Sequence, residues 1–152
     1  MKQTLISILL GMGGLLGSCV SSKPKELAAL SVYSGTTVRV SSSMLKLTSL
    51  CAGDGGNVMR KLKSVEVFTC EDRNQTGAVM EASRKIAQER GMEVMIETRS
   101  AKESTEIYAL ESGKKGVVKE VLIQSVEPDE CEVIYLKGNI DVASLVNDRS
   151  FK

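Results

Sequence analysis

Four cysteines, a spread of carboxylates and not one histidine set the chemistry open to this 152-residue chain. Without imidazole, Ser-His-Asp and Cys-His catalysis are excluded, as are His-ligated metal sites and the side chain that ordinarily titrates near neutral pH. Cys51, Cys70 and Cys131 lie far from any C-x2-C spacing, so no metal site is expected. Cys70, beside Phe68 in a β-branched run, reads as a small buried hydrophobe. In an oxidising compartment one disulfide is allowed, and Cys51 and Cys131 are the expected pair because both fall in connections. A hydrolase built on carboxylates needs two of them facing each other at about 5–10 Å. Glu93 and Glu97 share a face of one strand-like run, but so does Arg99, which predicts a solvated ion-paired face. The glycines of CAGDGG, residues 51–56, invite a phosphate-loop reading. That loop lacks G-x-x-x-x-G-K-[ST] and the strand before it, so a plain connection is expected.

Cys19 stands apart from the other thiols. It closes the stretch MKQTLISILLGMGGLLGSC, in which Lys2 precedes an uncharged apolar run from Thr4 to Leu16. As a helix those 13 residues would span roughly 20 Å, short of the roughly 30 Å hydrocarbon core of a bilayer. A secretion signal is therefore expected, not a membrane-spanning anchor. Leu16-Gly17-Ser18-Cys19 resembles a bacterial lipobox: a branched apolar residue, two small residues, then the thiol that becomes a thioether to diacylglycerol. Cleavage between Ser18 and Cys19 would leave residues 1–18 as signal peptide, 19–23 as a lipidated tether and 24–152 as one domain. Each buried CH₂ adds about 0.8 kcal/mol, so two or three acyl chains hold such a protein to a membrane almost permanently. Neither an Asp nor an acidic cluster follows Cys19, which points to the periplasm-facing leaflet of the outer membrane.

The elements that must position these residues are legible in part. Pro24 suits a first helical turn, and Lys25 to Tyr33 continues it with Leu27 and Leu30 on one face. Thr36–Val40 alternates as a strand. Ser41, Ser42 and Ser43, among the hydroxyls open to a His-free enzyme, offer N-caps to a helix through residue 50. Asn57 can cap another short helix through Lys63, and Ser64–Cys70 returns to strand character. Thr76–Arg90 reads as the clearest helix, with Val79, Ala82, Ser83, Ile86 and Arg90 on one face and Gly91 as its C′ residue. Four strand-like runs follow, Met92–Arg99, Thr105–Ser112, Val117–Val126 and Glu132–Lys137, joined by connections of hairpin length. Asp141 can cap a last helix, with Ile140 packing on Leu145. The order predicts an α+β, two-layer domain: a largely antiparallel sheet of about six strands with helices on one face.

Formal charge is +1 with acids and bases interspersed, and no basic stripe is present to neutralise phosphates, so nucleic acid is not an expected partner. Aromatic residues make up 3% of the chain, so the core must come from aliphatic side chains. Several strands are apolar on both faces: Val121 and Ile123 oppose Val118, Leu122 and Val126, while Val133 and Tyr135 oppose Ile134 and Leu136. Such a sheet is either covered on both sides or leaves an apolar face for a partner.

From Thr36 onward the sequence resembles a family of small secreted lipoproteins of Gram-negative anaerobes, catalogued as domain of unknown function 4252. VRVSSSML (residues 38–45), VVKEVLIQSVEPDECEVIYLKGNIDVASL (117–145), and Gly138 with Ile140 and Asp141 carry the resemblance. It implies an envelope lipoprotein with no established activity, and it supplies no catalytic residues or cofactor. The expectation from residues and resemblance together is a non-catalytic binding or adaptor module, anchored to the membrane through Cys19 and working by protein or ligand contact at the envelope. The rivals are a carrier of small apolar ligands and a hydrolase using carboxylates without His. An apolar cavity would favour the carrier, a polar cleft with facing carboxylates the enzyme, and an exposed apolar sheet the adaptor.

Overall fold

The computed structural model describes residues 25–45 and 61–143. The leader, Ser18, Cys19, the tether, Cys51, the CAGDGG loop and Leu145 lie outside the described residues. One open sheet of six antiparallel strands dominates: β1 Thr36–Ser41, β2 Leu62–Cys70, β3 Glu93–Arg99, β4 Ser104–Glu111, β5 Val117–Val126 and β6 Cys131–Asp141. The strands run in the order β1-β2-β6-β5-β4-β3, which leaves β1 and β3 as edges. Strands β3 to β6 form the expected meander, and β6 pairs with β2 to bring the two halves together.

The helical content is smaller than the sequence suggests. Lys25–Tyr33 is not a full α-helix: only Ala28–Val32 is helical, as a 3-10 helix, although Leu27 and Leu30 are both fully buried. The expected helix at Thr76 is present as α1, Thr76–Glu89. It ends through Gly91, whose φ of +69° costs a residue without Cβ little. Gly91 N–H bonds to Gln88 O at 3.0 Å and Met92 N–H to Ala87 O at 2.9 Å, the two reversed bonds of a Schellman motif. Through Val79, Met80, Ile86 and Ala87, α1 packs on Phe68, Tyr108, Leu122, Val133 and Tyr135 of the sheet, and Leu27 and Leu30 join this core.

The second sheet face is apolar as well. Cross-strand register aligns Val38, Val67, Ile134, Ile123, Ile107 and Ile96, one β-branched residue from each of the six strands. Leu45 and Val142, at the last described helical positions, pack against the neighbouring residues of this face. Bulges alter two sequence expectations about sidedness. Register shifts between Val118 and Glu120, so Val118 joins Val121 in the second-face cluster, not Leu122 on the opposite face. The shift between Val94 and Ile96 likewise separates the acids of β3. Glu93 faces Ala109 on the second face, whereas Glu97 faces Glu106 on the face that α1 covers.

Candidate functional site

Between α1 and the sheet lie carboxylates that a purely apolar core would not contain. Glu106 is 5% exposed. It accepts from Arg84 Nε at 3.0 Å and Arg84 Nη2 at 2.7 Å, from Tyr108 Oη at 2.6 Å and from Gln124 Nε2 at 2.5 Å. The forked bond from Arg84, together with the Tyr108 and Gln124 donors, outweighs burial and lowers the Glu106 pKa to about 2. Gln124 turns its amide oxygen to Ser83 of α1, so helix and sheet are joined by one connected set of polar groups.

A second set lies nearly two turns further on, around Arg90 just past the end of α1. Glu120 accepts from Tyr135 Oη and from Arg90 Nη1 at 3.1 Å. Arg90 also pairs with Glu26 and lies over the Tyr135 ring, 5.4 Å from its centroid. Lys137 Nζ approaches Glu26 at 3.3 Å and Glu120 at 3.7 Å. Burial, then the bond to Glu120, pushes the Tyr135 phenol well above its ordinary range. Glu66, fully buried, accepts backbone N–H groups of Lys25, Glu26 and Leu27 at 2.8–3.1 Å and lies 3.2 Å from Arg39 Nε. Glu66, Glu106 and Glu120 are thus each engaged by donors of the fold. Their chemistry is to hold α1 and residues 25–27 against the sheet.

The apolar row of the second face offers a different capability. Val65 and Val121 beside it are almost fully buried. Ile134, Ile123 and Ile107 are half-buried, and Ile96 on the edge strand is 46% exposed. Met95 is exposed at the bulge before it, Val94 is exposed on the opposite face beside Tyr108, and every residue of β3 is exposed. Such an edge presents both apolar contact area and unpaired backbone groups to a partner. A cleft of about 440 Å³ lies elsewhere, lined by Lys61, Ser112, Lys114, Val117, Asn139 and Asp141. It holds two lysines against one carboxylate, and Asp141 accepts from Ala143 N–H at 3.0 Å, as its expected capping role requires.

Of the other residues singled out in the sequence, Glu97 pairs with Arg99 at 2.8 Å on the exposed edge, as expected. Ser41 and Ser43 are exposed around the start of a helical turn, with Ser42 half-buried between them. Cys131 is not in a connection: it is the first residue of β6, fully buried, and its cross-strand neighbour is Cys70. Both thiols are free. Among the described residues, no group of three or more Cys, Asp or Glu is arranged to hold a metal ion, and no helix is long and apolar enough to cross a membrane.

Residues 34–147 match the family model for the domain of unknown function DUF4252. The chain belongs to the DUF4252 family. No curated protein and no solved structure matched it. The DUF4252 match begins just ahead of β1 and ends just beyond β6, so it contains the whole sheet and α1 but not Glu26, Leu27 or Leu30. In this DUF4252 chain, residues ahead of the match therefore complete the core and the Arg90 ion pair. The polar groups on the α1 side were the ones sequence reasoning passed over. Their signal was partial: Ser83 and Arg90 interrupt the apolar face of the expected helix, whereas Glu106 and Glu120 stand among other polar residues of β4 and β5.

Proposed function

We propose that this DUF4252 protein is a lipid-anchored, non-catalytic module of the cell envelope that works by binding an envelope protein. The observation that carries the anchoring is the run Leu16-Gly17-Ser18-Cys19 directly after a short apolar segment headed by Lys2. The half-exposed apolar row from Ile134 to Ile96 supports the contact role. The buried carboxylates support it too, because Glu66, Glu106 and Glu120 are spent on internal donors. We take the domain as a two-layer α+β unit, with α1 and the 3-10 helix forming the second layer, and place it at the periplasmic face of the outer membrane.

This reading also bounds how far the domain stands from the bilayer. Glu66 pins the backbone of Lys25, and the six steps from Cys19 to Lys25 reach at most about 20 Å. The domain is therefore held close to the lipid surface, within reach of membrane-bound partners. Cys19→Ala should move the protein from the membrane pellet to the soluble fraction and abolish its labelling by a clickable fatty acid. A variant that still pellets and still takes up label would overturn the anchor.

A further inference from the structure

Cys70 is the last residue of β2 and Cys131 the first of β6, and the two face each other directly in the antiparallel register. Both belong to the core beneath α1 and both are fully buried. Directly opposed residues in such a ladder have Cα atoms about 4.5–5.5 Å apart, inside the roughly 4.4–6.8 Å that a disulfide spans. The Cys131 thiol has the Cys70 thiol and Thr76, at the start of α1, as neighbours. Cys70 Sγ also lies 3.8 Å from Asp72 O.

We propose that Cys70 and Cys131 form a disulfide that staples β2 to β6, made by thiol–disulfide exchange as the chain folds. A thiolate of the pair attacks a disulfide donor RSSR, releasing one RSH and leaving a mixed disulfide. The second thiolate displaces the remaining RSH, so two protein thiols are oxidised and one donor disulfide is reduced to two thiols. Exchange belongs to the folding stage because burial, then the neighbouring Cys70, pushes the folded Cys131 thiol up to about 11, where little thiolate exists. The bond would close a loop containing α1, β3, β4 and β5. The supply of donor in the cell rests on the export reading above; the pairing itself does not.

The full chain, unfolded with dithiothreitol and refolded with oxidised and reduced glutathione, is alkylated in denaturant and digested with trypsin without reduction. The expected product is peptide 64–73 linked to peptide 120–137, with peptide 47–60, which carries Cys51, alkylated. Reduction should lower the thermal midpoint of the linked protein by roughly 10 °C, as a closed loop of this length implies. Alkylation of both 64–73 and 120–137, or a link from either to 47–60, would overturn the pairing. Protein alkylated at lysis and mapped in the same way separates the two claims. A link in cells supports pairing and export together, whereas a link formed only in glutathione upholds the pairing and counts against export.

Discussion

At the scale of single residues, the buried acids govern how the domain responds to pH. Glu106 is held down to about 2 against an ordinary 4.5, chiefly by the Arg84 fork. A depressed carboxylate adds stability above its unfolded pKa and loses it as pH falls toward the folded one. Between about pH 4.5 and pH 2 the domain should therefore lose about 3 kcal/mol from this group alone. Urea unfolding across that range, compared with Glu106→Gln, checks the sign. The variant should be less stable than wild type at pH 7, and the gap should close by pH 2. A gap that is constant with pH would show that the carboxylate charge contributes nothing. Glu66 is tested differently. Glu66→Ala removes the acceptor for the N–H groups of Lys25, Glu26 and Leu27. Amide exchange at these positions should accelerate at least tenfold, while β5 amides stay protected.

At the scale of elements, Gly138 shows why the two halves of the sheet can meet. A Cβ there would run into Lys61 O and the Cα of Leu62, where β2 enters opposite β6. Gly138→Ala should destabilise the domain by about 1–3 kcal/mol in chemical denaturation, with the loss concentrated in β2 and β6 by amide exchange. Strand alternation and the Gly91 stop of α1 were readable from local pattern, and all six strands begin within two residues of their expected starts. Three things were not. The bulges at Met95 and Lys119 insert one residue each and reverse which face the following side chains take, which no period-2 pattern signals. Lys25–Tyr33 looked helical because Leu27 and Leu30 had to be buried, yet the Glu66 carboxylate from 40 residues away captures its first amides. The opposition of Cys70 and Cys131 arises only when β6 returns beside β2, a pairing across 61 positions that local sequence does not encode.

At the scale of the molecule, one sheet carries two unlike faces. The α1 side is closed by an apolar core and connected polar groups, and it leaves no unengaged buried carboxylate among Glu66, Glu106 and Glu120. The other side carries a six-strand apolar row that grows more exposed toward β3. If that row is where an envelope partner docks, contact should be confined to one side of the domain and should need the lipid that keeps it at the membrane. The most direct measurement places a photo-crosslinking amino acid at Ile96 and Ile107 of the apolar row, and at Lys85 on the exposed side of α1, in intact cells. The expected result is a common crosslinked protein from Ile96 and Ile107, absent from Lys85 and strongly reduced when Cys19 is changed to Ala. No adduct from the apolar row, or the same adducts from Lys85, would contradict a docking face on this sheet.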